Sequence, residues 1–200
     1  CSNGPFVSPL VWLYEIYEGS EETVTYGYIK PDRSRAVKTV KKSDYYLEFA
    51  MKVYDFQRNN LLREDGVYDD MLGEDDTHGQ VVYEEVGGQR YRKHTNLHRR
   101  VGPAYSYNSG TMLSAAADRY RVTRDSRYLS ELQSLVAASF KYFARQDKEK
   151  QGFYSYDVPG FNNWFNGVLM RGYLDAYPYD MSAEIPLQSF QDNLDYSWEK

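Results

Sequence analysis

Apolar residues recur at spacings of three and four over six stretches of the chain, and polar stretches mark where one helix stops and the next begins. The first stretch, from about Pro5 to Tyr17, puts Phe6, Leu10, Leu13, Tyr14 and Tyr17 on one face. Pro5 and Pro9 fall near its first turns, where a missing N–H costs least, and Gly19 follows as a stop. Residues 19–42 are polar and basic and read as an extended excursion. The second helix starts near Ser43 or Asp44, either of which can cap it, and carries Tyr46, Ala50, Val53, Tyr54 and Leu61 to a stop at Asp65-Gly66. A third follows Asn108, with Met112, Leu113, Ala116 and Tyr120 on one side. The fourth has the clearest pattern: Asp125 or Ser126 as cap, then Tyr128, Leu132, Leu135, Val136, Ser139, Phe140 and Phe143. The fifth spans roughly Asn163 to Tyr177 and stops at Pro178, and the sixth carries Leu187, Phe190, Leu194 and Trp198.

These helices repeat as pairs. Asn3-Gly4 precedes Tyr14, Ser109-Gly110 precedes Tyr120 and Asn166-Gly167 precedes Tyr177, in each case by the same ten residues from glycine to tyrosine. The second members also repeat: Ser43-Asp44-Tyr45-Tyr46-Leu47 resembles Ser126-Arg127-Tyr128-Leu129, and Gly66-Val67-Tyr68 resembles Gly152-Phe153-Tyr154. The pairs cover approximately 5–61, 108–145 and 163–200 of a single domain, 1–200. A helix pair cannot bury its apolar face alone and must stack on neighbours. Where such units close into a ring, the first helices line the inside and the second form the outside. The long irregular stretch 74–104 interrupts the pattern. Gln80–Tyr83 and Gln89–Tyr91 flank Gly87-Gly88 there as a candidate β-hairpin. A loop of this length is usually functional or mobile.

Charge and composition narrow the function. A net charge of −5 and a pI near 5.3 argue against a nucleic-acid partner. No run reaches the ~18 apolar residues of a transmembrane helix. Cys1 is the only cysteine, so an internal disulfide is impossible. The chain opens on Cys1 rather than Met, with no signal peptide, and the sixth helix reaches Lys200 without a stop signal, so both ends read as cuts. Aromatic residues make up 16% of the chain, 21 of them Tyr. Tyr pairs a flat apolar face with a hydroxyl, which suits sugars, but the same properties fill helix seams.

The sequence Cys1-Ser2-Asn3-Gly4-Pro5, then Tyr105-Ser106-Tyr107-Asn108-Ser109-Gly110, then Trp164-Phe165-Asn166-Gly167-Val168-Leu169-Met170-Arg171-Gly172-Tyr173-Leu174 is similar to glycoside hydrolase family 76, the endo-acting α-1,6-mannanases. Thr123-Arg124-Asp125-Ser126-Arg127-Tyr128-Leu129 resembles the family's link into an outer helix. The resemblance implies an all-α fold, an (α/α)6 toroid of six helix hairpins, of which about half is present here. It implies cleavage of α-mannan with retention by two adjacent aspartates, without a cofactor or metal. In the family that pair lies upstream of the segment resembling Cys1–Pro5. No catalytic residue is therefore expected in this chain, and the segment alone is expected to be inactive. A polymeric substrate implies an extracellular, periplasmic or cell-envelope location.

Asn3, Tyr107 and Asn108 fall at the mouths of the inner helices, where amides, hydroxyls and helix N–H groups can converge on sugar hydroxyls. Trp164, Asn166 and Arg171 are further candidates for substrate contact, or line the seam between helices. Asp69-Asp70 and Asp75-Asp76 fall in an acidic loop after an outer helix, where solvation would leave them ordinary carboxylates. That loop does not meet the EF-hand pattern. His78, His94 and His98 have no zinc spacing, and Arg90, Arg92, Lys93, His94, Arg99 and Arg100 read as a solvated basic patch balancing the acidic segment. A non-catalytic glycan-binding or structural toroid protein is the alternative. A sugar epimerase of the same fold is disfavoured, because such enzymes use inward-facing His and the three here share one polar loop. A half toroid would leave apolar helix faces uncovered, so the isolated chain is expected to be marginal or to associate.

Overall fold

The computed structural model describes residues 3–73, 83–92, 100–156 and 163–199. Six α-helices form among them: α1 (Val7–Tyr17), α2 (Lys42–Leu61), α3 (Ser106–Thr123), α4 (Ser126–Phe143), α5 (Trp164–Ala176) and α6 (Glu184–Trp198). A 3-10 turn, Gly4–Phe6, leads into α1. Helix α1 packs on α2, α3 on α4 and α5 on α6, while α3 also packs on α1 and, most extensively, on α5. The first helix of each pair therefore lies inside and the second outside, as in a segment of an α/α toroid.

The helix α3 is the centre of this arrangement. Its small residues Ser109, Gly110, Ala115, Ala116 and Ala117 are buried together with Met112 and Leu113, so it is enclosed on nearly every side rather than along one stripe. Close approach to α5 explains the glycines. A Cβ on Gly110 would lie 2.5 Å from the Val168 carbonyl oxygen, and one on Gly172 would lie 2.5 Å from that of Gly110. The Gly4 position likewise abuts Thr111 Oγ1, at 2.7 Å from an added Cβ, whereas Gly167 faces open space. The three glycines of the sequence repeat are thus not equivalent. In the third unit Gly172, not Gly167, allows the close crossing.

Arg119 lies fully buried between the outer and inner layers. Its guanidinium is sandwiched 4.0 Å from the Tyr54 ring centre and 3.8 Å from that of Tyr128, and pairs with Asp55 at 3.2 Å. Tyr54 in turn donates to Glu131 at 2.8 Å, tying α2 to α4. Between α4 and α5, the Tyr173 and Ser139 hydroxyls bond at 3.0 Å.

Several boundaries differ from the sequence expectation. The extended excursion of residues 19–42 is a regular antiparallel hairpin, β1 (Thr23–Ile29) and β2 (Arg35–Lys41), a pairing absent from the sequence expectation. Neither Ser43 nor Asp44 caps α2, because the helix already begins at Lys42. It ends at Leu61, before a tight turn in which Gly66 takes a φ of +84°. Helix α3 begins two residues before Asn108 and has no side-chain cap, while Asp125 does cap α4 by accepting from the Arg127 N–H. On α1 the buried apolar residues are Val7 and Val11, and Phe6 is exposed. The α6 stripe is covered at Phe190 but open at Leu194 and Trp198.

The excursion after α2 is pinned at its base. Strand β3 (Met71–Leu72) pairs antiparallel with β6 (Arg100–Val101), which brings residues 70 and 102 together. The Gly87-Gly88 turn joins β4 (Tyr83–Val86) to β5 (Gln89–Arg92), so the first arm lies further along than expected. Gln80–Val82 lie outside the described residues, as do Asp75-Asp76, the three histidines, Lys93 and Arg99. A third hairpin, β7 (Ala144–Gln146) with β8 (Tyr154–Tyr156), follows α4.

Candidate functional site

The N-terminal ends of α3 and α5 meet the β3–β6 pair and the turn after α2, and this junction gathers a cluster of polar and aromatic side chains. It is built from the turn outward. Leu62 and Tyr68 bridge, the Arg63 N–H bonds the Val67 carbonyl at 2.9 Å, and the Asp69 N–H bonds the Leu61 carbonyl at 2.9 Å. The turn buries both Asp69 and Asp70. This corrects the expectation of a solvated acidic pair.

The two carboxylates have different partners. Asp69 faces Arg63 at 3.3 Å and Arg100 at 3.7 Å, and Arg100 also donates to the Leu62 carbonyl at 2.9 Å. Arg63 thereby closes the turn after α2 on itself, and Arg100 fastens that turn to β6. Asp70 points the other way, to α3. It accepts from the Tyr107 hydroxyl and from Asn108 Nδ2, the latter at 3.1 Å. Gly102, at a φ of +83°, lets the chain pass Asp70: an added Cβ would sit 3.0 Å from the Asp70 Cβ. Burial and the Asp70 carboxylate push the Tyr107 hydroxyl well above the ordinary tyrosine pKa, so it remains a hydrogen-bond donor at any physiological pH.

An aromatic row runs beside this polar centre. Tyr105 stacks on Tyr107 with ring centres 6.0 Å apart and planes 15° apart, and Tyr107 on Trp164 at 5.8 Å and 24°. Phe165 closes the row from below, edge-on to Tyr105 and Trp164 at 5.2 and 4.5 Å. Trp164 remains 54% exposed, which leaves an open ring face beside hydrogen-bonding groups. Asn166 accepts from Ser106 at 3.0 Å and locks the first turn of α5 to that of α3.

Four of the six residues singled out in the sequence therefore converge: Tyr107, Asn108, Trp164 and Asn166. Asn3 is exposed at the same end, held there because Gly4 packs on Thr111, and its side chain caps nothing. Arg171 stands apart. It lines a cleft of about 360 Å³ between α1, α3 and α5, together with Ser8, Trp12, Ser114 and Asp175. Asp118 borders this cleft, bonded to Arg121 at 2.7 Å. Burial, and to a lesser degree Asp175, raise its pKa to about 6 against donors from Ser8 and Trp12. Asp70, Asp69, Arg63, Arg100 and Tyr105 are site residues that the helical pattern did not single out as binding groups. Among the described residues, no group of three or more His, Cys, Asp or Glu side chains is placed to hold a metal ion.

Comparison with known proteins points the same way. The sequence model of glycosyl hydrolase family 76 matches residues 36–196. No curated protein sequence matches. Among solved structures, a family 76 glycoside hydrolase from a bovine Bacteroides thetaiotaomicron strain superposes with a TM-score of 0.59 at 21% identity, over 96% of this chain and 33% of that one. A family 76 mannosidase from Bacteroides thetaiotaomicron VPI-5482 gives 0.54 at 20% identity, over 96% and 41%. An inactive variant of the α-1,6-mannanase of Salegentibacter sp. HEL1_6, with two consecutive aspartates replaced by alanine and α-1,6-mannotetrose bound, gives 0.50 at 20% identity, over 90% and 40%. The chain thus spans about two-fifths or less of the length of these structures.

Proposed function

We propose, from the premise that the chain belongs to glycosyl hydrolase family 76, that it is the sugar-holding part of an enzyme cleaving α-1,6-linked mannan. The observation that carries this reading is the Tyr105–Tyr107–Trp164 row beside Asp70, Asn108 and Asn166. A pyranose presents an apolar C–H face and a rim of hydroxyls. The exposed Trp164 ring suits the face, and the hydroxyl and amides beside it suit the rim. Asp70 holds Tyr107 and Asn108 in place, so both are fixed before sugar arrives.

The proposed chemistry is retaining hydrolysis by two adjacent aspartates. Such a pair needs its carboxyl groups about 5–5.5 Å apart, one as nucleophile and one as acid and base. Asp69 and Asp70 are adjacent, but their side chains are committed to opposite structural partners. We assign the reacting pair to sequence N-terminal to Cys1, as the family resemblance of the Cys1–Pro5 segment implies. A polymeric mannan substrate would place the enzyme outside the cytoplasm, in the extracellular space or cell envelope.

The test compares two chains. The 200-residue chain is expected to bind α-1,6-mannotetraose without cleaving it, and a chain extended to the length of the structural relatives should release oligosaccharides from linear α-1,6-mannan. An inert extended chain with its aspartate pair intact would refute the proposal and leave a glycan-binding protein. Release by the 200-residue chain would move the chemistry to Asp69 and Asp70.

A further inference from the structure

The β1–β2 hairpin is unlike the rest of the protein. Its nineteen residues, 23–41, hold five basic side chains and one acidic, in a chain of net charge −5. One face is anchored: Tyr26 packs edge-on to Tyr45 at 4.8 Å and Phe49 at 5.7 Å, and Lys38 pairs with Glu48 at 3.7 Å. The pairing register puts Thr25, Gly27, Ile29, Arg35, Val37 and Thr39 on the opposite face. That face is exposed, with Ile29 at 67% and Val37 at 71%.

The tip is a built turn. The Lys30 N–H bonds the Ser34 carbonyl at 2.9 Å, the Arg33 N–H bonds the Lys30 carbonyl at 2.8 Å, and Asp32 accepts from the Ser34 N–H at 2.9 Å. Lys30, Arg33 and Arg35 surround this tip, all exposed and without an ion pair among the described residues. Three unpaired cations and two exposed aliphatic side chains are thus held together on one ordered projection.

We propose that this hairpin docks the protein on an anionic phospholipid surface, with Ile29 and Val37 entering the boundary between headgroups and acyl chains. The cations supply attraction to lipid phosphate. The aliphatic pair decides between a bilayer and a soluble polyanion, because Ile and Val offer a phosphate-bearing polymer nothing to bond, whereas a bilayer buries them. The position has a consequence for the enzyme. The hairpin joins the C-terminal end of α1 to the start of α2, while the Asp70–Tyr107–Trp164 cluster follows the far end of α2. On the sugar-binding reading proposed above, the docking hairpin and the sugar-binding cluster are thus joined to opposite ends of α2.

Vesicle flotation of the 200-residue chain tests this directly. Partitioning onto phosphatidylcholine vesicles containing about one-third phosphatidylglycerol should exceed that onto pure phosphatidylcholine and fall with added salt, each cation contributing about five-fold. Reversing all three charges (Lys30→Glu, Arg33→Glu, Arg35→Glu) should lower it at least ~100-fold. The pair Ile29→Ser and Val37→Ser should lower it about ten-fold with the salt dependence unchanged. All five positions are exposed, and an unaltered circular dichroism spectrum confirms each fold. Equal partitioning onto neutral and anionic vesicles, or normal binding by the charge-reversed protein, would overturn the proposal. So would normal binding by the serine variant, or retention on an immobilised anionic polysaccharide without vesicle binding.

Discussion

Gly110 makes the sharpest test of how this fold is held together. A Cβ there would lie 2.5 Å from the Val168 carbonyl oxygen and 2.7 Å from the Leu169 Cα and nitrogen. All three are backbone atoms of α5, so no side-chain rotation relieves the contact. Ordinary contact begins near 3.4 Å, so Gly110→Ala must drive α5 back by about 0.7–0.9 Å. That retreat loosens the seam around Leu113, Leu169 and Tyr173, which are fully buried. Overpacking of this kind costs about 1–3 kcal/mol, and a backbone partner puts it at the upper end. Replacing helical Gly by Ala returns about 1 kcal/mol, leaving a net loss of about 2 kcal/mol. Gly167→Ala is the control. It makes the same exchange in α5 with nothing within 4 Å of the new atom, so it should stabilise by about 0.5–1 kcal/mol. Urea melts of the two variants should therefore differ by about 3 kcal/mol. The retreat would also shift Trp164 from Tyr107 and Asn166 from Ser106, weakening mannotetraose binding several-fold. Equal stability of the two variants would refute the argument that α3 and α5 touch backbone to backbone.

Three further outcomes follow from particular side chains. Asp118, raised from 3.8 to about 6, holds its proton more tightly folded than unfolded, so stability should fall as pH rises from about 4 to 6 and then level. Its side chain is 16% exposed and Arg121, shared with Glu15, partly compensates, so about 1–2 kcal/mol is expected, absent in Asp118→Asn melts across that range. Trp164→Ala should change the urea midpoint little, since the ring is half exposed, yet lower mannotetraose affinity about ten-fold by calorimetry. Arg119→Ala leaves Tyr54 and Tyr128 facing a void and Asp55 unpaired, and should cost about 3 kcal/mol in thermal melts.

The helices were legible where a stripe at helical spacing coincided with a local cap or stop. Helix α4 shows this best: Asp125 caps it, and Leu132, Leu135, Val136 and Ser139 are buried as the spacing requires. In sequence helix α3 reads as one-sided because Met112 and Leu113 stand out, while its Ala and Ser residues look neutral. Their burial comes from the close crossing with α5, a tertiary fact that small residues permit but do not announce. The hairpin at residues 23–41 was hidden for a related reason. Its alternation of Val24, Tyr26 and Tyr28 with Thr and Gly is visible, but the anchoring face is supplied by Tyr45 and Phe49 of α2.

The site was harder to read because its acids are buried by distant sequence. Asp69 and Asp70 stand among Asp, Glu and Gly, a composition that reads as solvated loop. Arg100, thirty residues on, and Tyr107 and Asn108 beyond it come back over the pair only because β3 and β6 close the base of the long excursion. Two adjacent carboxylates are thereby given opposite tasks. One is tied to two arginines and fixes the turn, and the other is presented at the mouth of an inner helix beside aromatic rings. The same α3–α5 crossing that requires Gly110 and Gly172 brings Ser106 to Asn166 and Tyr107 to Trp164. Core packing and the proposed sugar recognition therefore share one geometry in this fold, and Gly110→Ala, about one turn inside the helix seam, should be felt in mannotetraose binding as well as in the melt.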